Sequence, residues 1–260
     1  MVLHCDFHSP VLKRNTHINV ILPTPGEPGE PVLQDMKVLY LLHGLHGDET
    51  SWLHFSNIER YANDAKLAVV IPGVGNSFYQ NMAHGEDFFT YVTEELYTFV
   101  QALFPVSKKR EDTFIAGLSM GGYGAWYLGL SCPEKFSAIA SFSGAVDVGF
   151  RYLPPALLKD APMPFYVDNC FGDPTKIAGS DRDIFALFQK AKEKGIVPRM
   201  YQSCGTADFL YAMNVAANKK LTEMGAEITW RETPGIDHVW DFWDSEIRWL
   251  IPNWLLKEEK

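Results

Sequence analysis

The sequence predicts an α/β fold: a mostly parallel central sheet with helices on both faces. Three observations carry that expectation. Short apolar, β-branched runs alternate with amphipathic helical stretches along most of the chain. Several runs are apolar at nearly every position, as strands buried on both faces are. Finally, 260 residues with 47% hydrophobic and 21% charged side chains are ordinary globular usage, and that length buries roughly 70–75% of its unfolded surface without disulfide or metal. The expected unit is one domain spanning 1–260, interrupted by an irregular, lid-like insertion at about 145–195.

The elements follow in order. Leu3 to His8 and Thr16 to Leu22 are rich in β-branched and apolar residues and are expected to pair as an antiparallel hairpin. Residues 23–31 hold four prolines and two glycines and read as a surface loop. Met36 to Leu42 is a buried strand ending at His43-Gly44, followed by a helix over 51–64 and a second buried strand over 67–71, stopped by Pro72-Gly73. Phe89, Val92, Leu96, Phe99, Val100 and Leu103 recur at three- and four-residue steps, which predicts a helix over 86–104. A strand over 113–117, a helix over 119–130 and a strand over 138–142 come next. The insertion, with Pro154, Pro155, Pro162, Pro164 and Pro174, breaks the rhythm and holds a helix only near 181–194. Then come a strand over 199–204, a helix over 210–224, a strand over 227–233 and a last helix over 240–255, ended or kinked at Pro252.

Charge and cysteine usage narrow the function. With 23 Lys and Arg against 32 Asp and Glu, the net charge is −9. Nucleic acid and anionic membranes are therefore poor partners, because phosphate binders carry surplus cations. Cys5, Cys132, Cys170 and Cys204 form no CxxC pair and read as reduced thiols. Met1-Val-Leu-His-Cys-Asp6 lacks the basic and apolar regions of a signal peptide, and no apolar stretch approaches 18 residues. A cytoplasmic location is the expectation; the sequence is silent on oligomeric state beyond allowing a homo-oligomer.

Gly117-Leu-Ser-Met-Gly121 matches G-x-S-x-G. The motif alone is weak, but here the apolar strand Phe114-Ile-Ala116 runs into it and the helical Tyr123-Gly-Ala-Trp-Tyr-Leu128 runs out of it. That is the setting of a nucleophile elbow, whose tight turn demands small residues two before and two after the serine. Ser119 is therefore the candidate nucleophile.

The segments LLHGLHGD, SWLHFSNIERYA, FIAGLSMGGYGAW, SFSGA, CGTADFLY and HVWDFW, in this order, resemble the esterase D-type branch of the α/β-hydrolases, nearest to the bacterial tributyrin esterases among carboxylesterases. The resemblance covers nearly the whole chain and is weakest over 145–195. One departure stands out: Gly235-Ile-Asp-His238 is longer than the Gly-x-His loop of tributyrin esterases and is more similar to S-formylglutathione hydrolases.

On this fold the triad runs in the chain order Ser, acid, His. Of eight histidines only His238 follows Ser119, so it is the expected base. Asp208, after the strand ending at Cys204 and the turn Gly205-Thr-Ala207, is the favoured acid, since sites on open α/β sheets gather at the carboxyl ends of strands. Asp237 is the competitor, adjacent to the histidine and poorly placed to reach its far nitrogen; Asp173 lies in the insertion. Met120 N–H is one expected oxyanion donor, and the resemblance implies Leu45 N–H as the other, with Gly44 allowing close approach. His43 and His46 have no carboxylate or Cys partner at ligand spacing, so no metal is expected. Nor is a cofactor, because acyl transfer through serine needs none. A small ester is the expected substrate, with Gly44, His46, Trp52, Tyr79 and Trp240 as candidate contacts, although for Trp52, Phe78, Tyr79, Trp126, Trp240 and Trp243 core packing is the stronger reading. Expected turnover is of acetyl to butyryl esters; acetylxylan or feruloyl ester cleavage, S-formylglutathione hydrolysis and a non-catalytic binding module are the other readings.

Overall fold

The computed structural model describes residues 1–25, 33–148 and 168–257. Eight strands form one sheet: β1 (Val2–Ser9), β2 (Arg14–Ile21), β3 (Val38–Leu42), β4 (Ala68–Pro72), β5 (Thr113–Leu118), β6 (Ala138–Phe142), β7 (Arg199–Gly205) and β8 (Ile228–Thr233), in the spatial order β1-β2-β4-β3-β5-β6-β7-β8. The hairpin β1–β2 and the β2–β4 pair are antiparallel; every later pair is parallel. This is the mostly parallel α/β-hydrolase sheet with an N-terminal antiparallel hairpin.

Side-chain alternation along each central strand divides the core in two. Val38, Tyr40 and Leu42 enter one apolar cluster while Leu39 and Leu41 enter the other, the period of two that a pleated strand imposes. Both faces therefore need helices, and the apolar runs are continuous for that reason. One face is covered by α3 (88–103), α4 (Met120–Ser131), α5 (Ile184–Glu193) and α6 (Tyr211–Glu223). The other is covered by α1 (Ser51–Phe55), α2 (Ile58–Ala65) and α7 (Trp240–Leu250). Helix α4 is buried from Met120 through Leu130, so it has no polar face.

Strand boundaries agree with the sequence reading to within about two residues, and three helices differ from it. The helix expected over 51–64 is two, broken at Ser56-Asn57: Ser56 Oγ donates to Trp52 O at 2.5 Å, and Asn57 N–H donates to Asp244 Oδ1 at 2.9 Å. A carboxylate 187 residues away in sequence thus starts the second piece. Helix α3 widens to π geometry over Tyr91–Leu96. There Thr93 Oγ1 donates to Phe89 O at 2.8 Å and Lys135 Nζ to Thr93 O at 2.7 Å, so side chains satisfy carbonyls that the wider turn releases. At Pro252 the last helix does not end but passes into a π turn, Ile251–Leu255. Asn253 Nδ2 donates to Trp249 O, and the Arg199 guanidinium donates to Trp254 O and Leu255 O at 3.0 and 2.9 Å, which caps the final carbonyls.

Residues 26–32, which include most of the Pro/Gly-rich loop, lie outside the described residues, as does 149–167 of the expected insertion. All four cysteines are free thiols. No helix among the described residues is long and apolar enough to cross a membrane.

Candidate active site

The carboxyl ends of β5, β7 and β8 converge on one point. Ser119 joins β5 to α4 with φ 54° and ψ −118°, a backbone region that side chains rarely occupy and that stores about 1–3 kcal/mol. It persists because its surroundings fix it. Ser119 N–H donates to Phe142 O at 2.9 Å, and Ser119 O accepts from Gly122, Tyr123 and Ala145 N–H at 3.0, 3.2 and 3.1 Å. The flanking glycines are steric necessities. A Cβ on Gly117 would lie 2.3 Å from Gly121 O, and one on Gly121 would lie 2.5 Å from His43 O and 2.6 Å from Leu42 O. Those obstacles are backbone and cannot rotate away. Gly121→Ala is therefore expected to lower Tm by about 5–10 °C, read in a thermal scan; an unchanged Tm would show that the elbow can relax.

The structure brings Ser119, His238 and Asp208 into one hydrogen-bonded line. Ser119 Oγ lies 3.0 Å from His238 Nε2, and His238 Nδ1 lies 2.8 Å from Asp208 Oδ2. Asp208 is 4% exposed, and its second oxygen accepts Leu210 N–H at 2.8 Å. Burial pushes its carboxyl upward, but hydrogen bonds from His238, Ser143 and Leu210 and the imidazole's charge outweigh that and hold it below the ordinary range. The competing acids are engaged elsewhere. Asp237 Oδ1 accepts the backbone N–H of His238 at 2.7 Å, so it shapes the loop and leaves the ring alone. Asp173 accepts from Thr175 N–H and Oγ1.

Opposite the elbow lies the loop after β3. A Cβ on Gly44 would meet Leu118 Cδ1 at 2.6 Å and Ser119 Cβ at 3.3 Å, so glycine lets this loop close on the serine. Among the described residues, neither Leu45 N–H nor Met120 N–H donates a hydrogen bond. His43 braces the loop from beneath. Fully buried, it donates from Nδ1 to Gly44 O at 2.8 Å and accepts Val74 N–H on Nε2 at 3.2 Å. Burial lowers its pKa, against the Gly44 hydrogen bond and Asp48, which favours the neutral ring those two bonds require. With both nitrogens occupied it has no lone pair for a metal. His46 is exposed at φ 63°, and its N–H donates to Asn76 Oδ1 at 2.7 Å.

The candidate substrate contacts divide. Gly44, His46 and the half-buried Trp240 lie on the loops or helix that border the site. Trp52 and Tyr79 do not line it: both are fully buried. Trp52 Nε1 donates to Leu42 O at 3.0 Å and its ring meets Phe142 and Trp240 edge-on; Tyr79 Oη donates to His43 O at 2.9 Å. They support the loop from within the core. Sequence reasoning passed over Phe209, whose ring centroid is 4.7 Å from that of His238 while the residue is 49% exposed. It also passed over Asn76 and Ser143. The one signal for Phe209 was adjacency to Asp208.

Comparison with known proteins agrees with this geometry. The model of the family described as Putative esterase matches residues 9–249. The chain is 37% identical over 254 residues to an acetyl esterase of Caldicellulosiruptor saccharolyticus, covering 95% of each chain. Among solved structures it is similar to FphF, a fluorophosphonate-binding serine hydrolase of Staphylococcus aureus (TM-score 0.88, 33% identity, 99% of both chains). It is also similar to the S-formylglutathione hydrolase FrmB of the same organism (TM-score 0.85, 33% identity, 99% of both chains). With an α/β-hydrolase sheet, a serine on a strained elbow and relatives of this kind, the chain belongs to the Putative esterase family and is a hydrolase of carboxylic ester bonds.

Proposed function

We propose that the protein is a serine carboxylesterase that hydrolyses short-chain acyl esters, acetyl to butyryl, through an acyl-enzyme. The observation that carries this reading is the unbroken line Ser119 Oγ–His238–Asp208 at 3.0 and 2.8 Å. His238 Nε2 takes the hydroxyl proton as Ser119 Oγ attacks the ester carbonyl, and Asp208 holds the Nδ1–H tautomer and stabilises the imidazolium. The free N–H groups of Leu45 and Met120 receive the developing oxyanion; one such donor is typically worth about 10²–10³ in rate. The C–O bond then breaks, the imidazolium gives its proton to the departing alkoxide, and the alcohol leaves. Water, deprotonated by the same imidazole, releases the acid and restores Ser119. Atoms and protons balance without a cofactor. The base works only when neutral, so turnover is expected to fall in acid.

The acetyl esterase relative supports the short acyl group. A panel of p-nitrophenyl esters tests it: kcat/KM is expected to be highest between acetyl and butyryl and to decline from hexanoyl onward. A maximum at octanoyl or beyond would overturn the assignment. The FrmB neighbour and the Gly235-Ile-Asp-His238 loop favour one second reading, thioester hydrolysis. S-formylglutathione turned over far faster than any oxygen ester would establish it instead. We further propose a cytoplasmic enzyme working on neutral small molecules, in keeping with its net charge of −9.

A further inference from the structure

Large apolar side chains left in water gather beside His238. A lone exposed aromatic is ordinary on a protein surface; a group of them at one place marks a contact site. Six large apolar residues are exposed among the described ones, and three of these, Phe55, Phe209 and Val239, gather on the segment His238-Val-Trp240. Phe209 lies against His238 with ring centroids 4.7 Å apart, Val239 is next in the chain, and Phe55 lies against Trp240 at 5.1 Å. The two aromatic neighbours of the imidazole differ in exposure. Trp243, edge-on at 4.8 Å, is 5% exposed and holds the ring from the core side, whereas Phe209 is 49% exposed and flanks it toward solvent. The Phe209 backbone is firmly anchored. Asp208 and Leu210 on either side of it are buried; Leu210 N–H donates to Asp208 Oδ1 at 2.8 Å and Tyr211 N–H to Asp208 O at 2.9 Å. The turn that buries the carboxylate thus presents the next side chain outward.

What meets that side chain follows from where the proton goes. The departing alkoxide takes its proton from His238 Nε2, so its oxygen must come within about 2.6–3.2 Å of that nitrogen. The group carried by the leaving oxygen therefore runs out alongside the imidazole; the acyl chain has no such tie. We propose that Phe209 is a specificity-determining residue: its exposed face forms the subsite for the alcohol half of the ester and selects apolar, ring-bearing alcohols such as benzyl alcohol. The inference rests on the function proposed for Ser119 and adds the second half of the substrate to it. A phenyl ring offers no hydrogen bond, so the subsite gains by removing apolar surface from water and by ring-on-ring contact.

The test compares methyl acetate, benzyl acetate and glucose acetylated on its primary hydroxyl. The acyl group is constant, and methanol and benzyl alcohol are of nearly equal acidity, so their difference in kcat/KM reads the alcohol subsite during acylation. For the parent, kcat/KM for benzyl acetate is expected to exceed that for methyl acetate by about 3- to 10-fold. Phe209→Ala should bring the benzyl-to-methyl ratio to within about twofold of unity, Phe209→Leu should fall between, and Phe209→Tyr should keep the parent ratio. The leucine variant carries the same test should the alanine variant not fold. A parent without preference for the benzyl ester would overturn the proposal. So would a ratio that Phe209→Ala leaves unmoved while both esters lose rate equally, since the ring would then act only through the imidazole. A parent that prefers the acetylated glucose to benzyl acetate would give the subsite to a sugar and overturn the apolar assignment. Failure of the underlying reading looks different: the parent would then hydrolyse none of the three acetates and would not be labelled at Ser119 by a fluorophosphonate, and both readings would fall together.

Discussion

Replacing Ser119 with alanine is expected to lower turnover of p-nitrophenyl acetate by about 10⁴–10⁶ without loss of folded protein. Alanine keeps the Cβ and removes one oxygen, which among the described residues makes a single hydrogen bond, to His238 Nε2. The hydrogen bonds that hold the elbow run through the backbone of residue 119, to Phe142, Gly122, Tyr123 and Ala145, and the substitution leaves them in place. Tm should therefore stay within about 2 °C of the parent, since a contact partly open to solvent contributes little to stability. On the proposed mechanism residual activity should not vanish, because the N–H groups of Leu45 and Met120 would still polarise a bound carbonyl for attack by water. Turnover by Ser119→Ala at the parent rate would remove the serine from the mechanism. A collapse of Tm would mean that the loss of rate reports unfolding.

Parts of this arrangement are written in the sequence at short range. The runs Val38 to Leu42 and Ala68 to Ile71 could only be strands buried on both sides, and Gly117 and Gly121 mark the elbow because nothing larger fits against the backbone at Leu42 and His43. His238 followed from chain order, and Asp208 from its place after a strand. What was not legible depends on direction and on distant partners. An aromatic residue in a sequence does not say which way it faces: Trp52 and Tyr79, named as candidate substrate contacts beside the stronger core-packing reading, lie inside the core, whereas Phe209, beside the imidazole, was passed over. The break between α1 and α2 is set by Asp244, far away in sequence. The widening of α3 is invisible to a period of three and four, because Lys135 from outside the helix helps to satisfy it.

The same three-dimensional detail dictates how Asp208→Asn should fail. The replacement keeps shape and removes charge, and its amide must choose an orientation. Leu210 N–H, 2.8 Å from Oδ1, requires an acceptor, so the amide oxygen is expected there and the NH₂ group is turned toward His238 Nδ1. Nδ1 must then accept, the ring proton moves to Nε2, and Nε2 can no longer take the proton of Ser119. The expected loss in kcat is about 10⁴, nearly that of removing the nucleophile, with KM little changed. Nitrogen NMR of the imidazole reads the tautomer directly, and an Nδ1–H ring in a variant that has lost its rate would contradict this cause. Stability supplies an independent check with a definite sign. The Asp208 carboxyl titrates below its ordinary value of 3.8 in the folded state. Its contribution is therefore fully present above that value and is lost as pH falls through the lower folded one. Parent and Asp208→Asn should differ most in Tm near neutrality, and the gap should begin to close only as pH drops below 3.8 and falls through the lower folded value. A gap that widened on acidification would mean that the carboxylate is not held by the hydrogen bonds from His238, Ser143 and Leu210.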